Sequence, residues 1–307
     1  MSLYRILVSF YSHLYSEIPF LNCLLGTLRW VTRHFSNALF PLLLGKKVLR
    51  RNIIGKRDRR IIVSLTSFPA RIAILPLVIK GLFKQRVLPD KIILWLSLEQ
   101  FPGKRIPQEL EGLRNEIFEV RFIDGDLRSH KKYFYAFNQF PDDYVILIDD
   151  DIYYDVHLVE RLVAAAGSNN NAIICRHGSI LNYGEDGKLR PFSDRTHIEK
   201  ATIDQNFFFG SGGGTLFIPS QMYKDCLRDD LFKELTPIAD DVWLNAMGRL
   251  AGLKTVKIWG GLLLPVYIKN NETLCSTNLE KSFNDVQIEN VSKWYKQSLG
   301  VDPFKKR

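Results

Sequence analysis

Three consecutive aspartates, Asp149, Asp150 and Asp151, follow the apolar run YVILI without a break. In an extended segment alternate side chains share a face, so Asp149 and Asp151 point one way and Asp150 the other. Two carboxylates on one face raise each other's pKa unless a cation lies between them. Hard divalent ions suit such oxygens, and Mg2+ characteristically takes one or two carboxylates together with substrate phosphates. Mn2+ or Mg2+ held by Asp149 and Asp151 is therefore the favoured reading. The alternative is a solvated acidic turn capping the helix that starts near residue 155, and a cap needs one aspartate rather than three.

Three other groups could take part. In SHKKYF, Lys131 and Lys132 stand at a helix start, where a cation opposes the helix dipole unless an anion such as phosphate is close. Alone, solvated lysines explain that pair; together with the aspartates, and with Arg71 at another strand end, a phosphate site explains it better. In PIADDVW, Asp240 reads as a cap, and Asp241, one step into the helix, is the better general base if that end faces a crevice. The cluster GSGGG at 210–214 includes Gly212 and Gly213, which let backbone approach a ligand closely or form a flexible turn.

Those residues need a frame. RRIIVSLTSF, PDKIILWLS, FEVRFID and YVILI read as strands, and AILPLVIKGLFKQ, residues 106–116 and SHKKYFYAFNQF, capped by Ser129, read as the helices between them. Strand and helix alternating at this pitch predict right-handed βαβ units, an α/β sheet with helices on both faces. Ligands of such sheets bind beyond the carboxyl ends of the strands. At those ends stand Thr66, Ser67 and Arg71, then Ser97, then Asp124 and Asp126, then the aspartate triplet. Further on, VHLVERLVAAAG reads as a helix, AIICR as a strand, NYGEDGKLRPFSDRTH as a hairpin or long loop, and TPIADDVWLNAMGRLAG as a helix with an inward apolar stripe.

The net charge of +9 suggests an anionic partner until its location is considered. Residues 1–60 hold eleven basic and two acidic side chains, and the remainder holds 31 of each. The excess therefore argues against nucleic acid along the body of the chain. It sits beside the apolar runs IPFLNCLLGTL (18–28) and NALFPLLLG (37–45), both too short to span a bilayer. This segment reads either as a helix on an anionic membrane surface or as a helical hairpin packed on the domain. A signal peptide fits poorly, since only Arg5 marks an n-region, ILVSFY is a short apolar region and no small-residue cleavage site follows. Cys23, Cys175, Cys226 and Cys275 are too far apart for a zinc or disulfide framework, so a cytoplasmic location, peripheral to the membrane, is expected.

The series strand-TSFPARI, PDKIILWLS, DLRSHKK, ILIDDDIYY, SGGGTLF and ADDVWL resembles bacterial nucleotide-sugar glycosyltransferases of the GT-A fold, family 2-like, of capsule and lipopolysaccharide assembly. The resemblance covers roughly residues 60–265. It implies a Rossmann-like mixed sheet sandwiched by helices, with a nucleotide half at about 59–151, an acceptor half at about 152–270, a C-terminal helix at about 278–298 and residues 1–58 as a basic helical appendage. It implies that Asp149 and Asp151 hold a metal and the donor diphosphate, while Thr66, Ser67, Arg71, Asp150, Asp124 or Asp126 face the nucleotide, and Lys131 or Lys132 the leaving group. Asp241 takes the position of the base in inverting members, with Gly212, Gly213 and Asp240 beside the acceptor. The implied donor is a UDP-sugar and the implied acceptor a glycan or lipid-linked glycan. A third metal ligand, commonly histidine in the family, is missing from VYIKNNETLCSTN.

Two enzyme rivals and one binding reading remain. An aspartate-nucleophile phosphatase also places D-x-D after a strand, but expects Thr or Val where Tyr153 stands, and its aspartates follow the first strand. A nucleotidyltransferase expects a glycine-rich loop where TSFPARI stands. A membrane-associated scaffold without catalysis would keep the fold and ignore nucleotides.

Overall fold

β-Branched and large apolar residues dominate the segments that become strands, and proline, glycine and aspartate punctuate them. A computed structural model of the chain describes residues 2–16, 18–45, 58–266 and 283–307. The first four strands are β1 (Ile61–Thr66), β2 (Lys91–Ser97), β3 (Phe118–Ile123) and β4 (Tyr144–Ile148). They are followed by β5 (Ile152–Tyr153), β6 (Ala172–Cys175), β7 (Gly178–Ile180), β8 (Thr196–His197), β9 (Thr202–Ile203) and β10 (Phe207–Phe209). The last three are β11 (Gly213–Phe217), β12 (Lys254–Lys257) and β13 (Leu264–Pro265).

Eight of these form one sheet in the order β3-β2-β1-β4-β11-β6-β12-β9. The first four run parallel, and β11 is inserted antiparallel between β4 and β6. The sheet is thus mixed, as expected. Strands β10, β7 and β8 make a smaller sheet, and β13 pairs with β5 just beyond the aspartates.

The helices are α1 (Leu3–Ser12), α2 (Pro19–Leu43), α3 (Leu75–Leu82), α4 (Gln108–Glu111), α5 (Lys131–Gln139), α6 (Leu158–Ser168), α7 (Asp229–Leu235), α8 (Asp240–Leu250) and α9 (Phe283–Leu299). Strand alternation divides the core between the two faces of the sheet. Ile61, Val63 and Leu65 face one cluster with residues of α1, α3 and α6. Ile62, Ile93 and Trp95 face the other with residues of α5, α7, α8 and α9.

Local differences from the sequence reading have identifiable causes. Ser129 does not cap α5; it lies in a 3-10 turn and its hydroxyl donates to the Ile238 carbonyl at 3.4 Å. The helix expected over 106–116 shrinks to α4, bounded by Pro107 and Gly112. No member of the triplet caps α6: the carboxylate ahead of that helix is Asp155, which accepts the His157 N–H at 2.7 Å. Within NYGEDGKLRPFSDRTH, a Tyr183–Leu189 bridge closes a hairpin-like turn before β8.

The N-terminal helices brace the crevice end of the sheet. Tyr4, Val8 and Tyr11 of α1 and Phe40 of α2 belong to the first core cluster. The Phe40 ring lies 4.7 Å from those of Tyr4 and Tyr153. Tyr4 donates its hydroxyl to the Tyr154 carbonyl at 2.9 Å, three residues beyond the triplet.

Candidate active site

At the end of β4 the chain is fastened before it turns. The Asp149 N–H donates to the Gly212 carbonyl at 2.9 Å and to the Tyr154 hydroxyl at 2.8 Å, and that hydroxyl donates in turn to Gly212. The Asp149 carboxylate lies directly over Gly212. A Cβ at position 212 would fall 1.8 Å from Asp149 Oδ1, so a larger residue there would push the Asp149 side chain off its contact with Lys132.

The triplet divides differently from simple alternation. Asp150 turns inward, 5% exposed, and accepts hydrogen bonds from Ser67 Oγ at 2.5 Å and Arg71 Nη1 at 2.9 Å. Asp151 meets the same Arg71 nitrogen at 2.9 Å. Asp149 pairs instead with Lys132, at 3.0 Å. The reason is that the loop after β1 delivers one guanidinium between two of the three carboxylates.

Lys132 is the hub of the site. Its ammonium also lies 3.1 Å from Asp240, so it joins the loop after β4 to the first turn of α8. The peptide of Lys132 is held in turn by Ser64 of β1, whose hydroxyl donates to the Lys132 carbonyl and accepts from Trp95 Nε1 at 2.9 Å. Asp240 therefore does not act as the expected cap: the residue preceding α8 is Ala239, and the Asp240 carboxylate serves Lys132 and Ser211 Oγ, the latter at 2.7 Å. Asp241 accepts the Ser211 N–H at 2.7 Å and is only partly exposed.

Titration follows from this geometry. Burial and then the neighbouring Asp240 lift Asp241 to about 6. Burial pushes Asp240 up, but Lys132 and the Ser211 hydrogen bond, with the other neighbouring groups, together hold it below its ordinary value. Burial and Asp149 lift Asp151 to about 7. Lys132 is held firmly protonated, the attraction of Asp149, Asp240 and Asp241 overcoming burial. His130, stacked at 4.3 Å on Phe232 and 2.7 Å from the Thr236 carbonyl, is pushed by burial to about 4 and so stays neutral.

The remaining sequence-predicted residues stand around this centre. Lys131 is buried in an ion pair with Asp126 and does not join the Lys132 cluster. Asp124 is exposed, and the Thr66 hydroxyl donates to the Trp95 carbonyl at 2.8 Å. Gly213 packs against His177, where a Cβ would come within 2.6 Å. An open cleft of about 540 Å3, lined by Pro69, Ile72, Gln100, Phe101 and their neighbours, lies between the loops after β1 and β2. Sequence reasoning missed Ser211, Tyr154 and His130. Their signals were weak: a serine inside a glycine cluster, the second tyrosine of DDDIYYD and a histidine beside two lysines.

Five carboxylates, Asp149, Asp150, Asp151, Asp240 and Asp241, converge on two fixed cations, Arg71 and Lys132. That excess of hard oxygens, with the raised Asp151, fits a divalent cation at Asp149 and Asp151, whose side chains are 40% and 21% exposed. Two carboxylates leave the rest of the coordination sphere to water and substrate oxygens. Among the described residues no group of three His, Cys, Asp or Glu side chains gathers to hold a metal. Residues 267–278, where a further ligand was sought, lie outside the described residues.

No protein-family model and no curated protein matches the chain. Among solved structures, it is similar to a mannosyltransferase from Pyrobaculum calidifontis in complex with GDP-Man and Mn2+, at 12% identity and a TM-score of 0.48, over 90% of this chain and 77% of that one. It is similar to S. aureus TarS in complex with UDP at 11% identity and a TM-score of 0.41, over 79% of this chain and 72% of that one. A third likeness is to 4-diphosphocytidyl-2C-methyl-D-erythritol synthase from Anaerococcus prevotii, at 14% identity and a TM-score of 0.44, over 73% of this chain and 99% of that one.

Proposed function

We propose that the protein is a metal-dependent glycosyltransferase that moves a sugar, with inversion, from a nucleoside diphosphate, UDP in the first instance, to a hydroxyl of a glycan or lipid-linked glycan in bacterial surface polysaccharide synthesis. The observation that carries this reading is the Lys132 bridge. It joins Asp149 after β4 to Asp240 of α8 through one cation beyond the carboxyl ends of the parallel strands β1 to β4, the place where α/β sheets bind ligands. In this reading, Asp149 and Asp151 hold Mn2+ or Mg2+, which when bound offsets charge on the donor diphosphate.

The chain's own residues have separate tasks. The cleft beside Phe101 takes the nucleobase, and Thr66 and Asp124 face the nucleotide. Asp150, locked to Ser67 and Arg71, keeps the loop rigid rather than touching donor. Asp241 takes the proton of the acceptor hydroxyl while the new bond forms at the anomeric carbon and the bond to the diphosphate breaks. A base near pH 6 suits that transfer at neutral pH. Lys132, beside Asp149, stabilises the departing phosphate oxygen.

A nucleotidyltransferase reading is less well supported: the loop after β1 has no glycine between Ser67 and Ile74, and its Arg71 is already engaged by Asp150 and Asp151. The test is sugar transfer and donor hydrolysis by Asp241→Asn. Turnover should fall by about 10^2 to 10^4, with UDP binding retained. Near-full turnover would remove Asp241 as the base.

A further inference from the structure

The helix α2 is turned inside out. Its buried residues are Thr32, Ser36 and Phe40, two of them polar, while Phe20, Leu24, Leu28, Val31, Phe35 and Leu42 are 39% to 82% exposed. Their spacing of four, four, three, four and seven residues puts them on one stripe. At 1.5 Å per residue that stripe runs roughly 33 Å. On α1, Leu3, Ile6 and Phe10 are likewise exposed, opposite the Tyr4, Val8 and Tyr11 face that enters the core. An apolar surface this long and continuous on a folded chain marks something that covers it.

Charge identifies the cover. Neither helix contains an aspartate or glutamate, and both contain arginine, Arg5 in α1 and Arg29 and Arg33 in α2. Arg29 is built into the turn between the helices, donating to the Leu14 carbonyl at 2.9 Å and to Asn22 Oδ1 at 2.6 Å. The first sixty residues carry eleven basic and two acidic side chains. A second copy of the chain would bring like charge against like charge at this face. An anionic lipid surface instead satisfies both features, taking the apolar stripe at the level of the acyl chains while attracting the basic excess of the first sixty residues. No described helix is long and apolar enough to cross a membrane, so the helices would lie in the plane of the surface.

We propose that α1 and α2 together form a docking surface for an anionic lipid leaflet. This inference is independent of the transfer reaction. It also has a structural consequence, because the inner face of the same pair reaches the catalytic loop through the Tyr4 to Tyr154 hydrogen bond and the contact of Asn37 Nδ2 with the Pro265 carbonyl at 3.1 Å. A membrane bound at the outer face therefore meets an element already joined to the crevice.

Deleting the helices would uncover core residues such as Tyr4 and Phe40, so the experiment uses surface substitutions in the full chain. The parent and a Phe20→Ser, Leu24→Ser, Phe35→Ser variant are sedimented with vesicles of phosphatidylcholine, with and without phosphatidylglycerol. The parent should bind the phosphatidylglycerol vesicles, more weakly as salt is added, and the variant should bind at least about tenfold more weakly. Leu42→Ser, at a position 82% exposed, supplies a milder variant with a several-fold loss and an unchanged melting temperature. Equal binding by parent and variants would overturn the proposal. So would a parent that ignores both vesicle types while light scattering shows a dimer that the variants lose.

Discussion

The crevice and the outer face of α2 break the same rule in opposite directions. At the crevice, carboxylates are drawn into the protein; on α2, large apolar side chains are turned out of it. Each arrangement costs stability in the free chain, and the proposals above match each to a ligand of complementary chemistry. The difference lies in connectivity. Crevice charges are cross-linked through Lys132, Arg71 and Ser211, so a change at one is felt at the others. The residues of the α2 stripe touch little of their own chain and should respond one at a time.

That contrast can be broken most forcefully at Lys132. Lys132→Met leaves Asp149 and Asp240 without their shared cation, and removing one partner of a buried pair costs roughly 3–5 kcal/mol. Chemical denaturation should show that loss, and donor turnover should disappear with it. A variant as stable as the parent would mean that the bridge is not the hub described above.

A smaller effect comes from pH. Asp241 is lifted from 3.8 to about 6 in the folded protein. Its contribution to stability is therefore complete below the unfolded value and is lost as pH rises through about 6. Against Asp241→Asn, the parent should lose relative stability between about pH 4 and 6. Turnover should move the other way, rising about tenfold per pH unit and levelling above about 6, since the base must be ionised. A flat profile across that range would place the proton elsewhere.

The smallest effect is expected on the outer helix. Leu24→Ser, at 58% exposure, should change stability by no more than about 0.5 kcal/mol. A loss of several kcal/mol would show that the stripe packs on the chain itself and would dissolve the contrast.

The frame was legible because it is written in local pattern. Runs such as YVILI and KIILWLS admit little but buried strand, whereas the glycine cluster running into β11 read equally as a close approach or a flexible turn. The triplet, Arg71, Lys132 and Asp241 were visible as residues with no reason to lie in a core. Their pairing was not, because it depends on which loop reaches which neighbour. Arg71 meeting Asp150 and Asp151 spans about eighty positions, and Lys132 meeting Asp240 spans more than a hundred. Asp240 looked like a cap because local rules see only the helix start, whereas Lys132 arrives there from another element. Apolar runs beside basic residues announced helix in the N-terminal segment, but only the packing of Thr32, Ser36 and Phe40 revealed which face of α2 was buried.

The proposed function requires the crevice to take a cation and a nucleoside diphosphate together. Thermal unfolding of the full chain with Mn2+, with UDP, and with both measures this directly. The two together should raise the melting temperature well beyond the sum of their separate effects, because each completes the other's site. Asp151→Asn should abolish that excess. An unchanged melting temperature with UDP, GDP or any other nucleoside diphosphate in the presence of Mn2+ would contradict the account and leave a folded scaffold in its place.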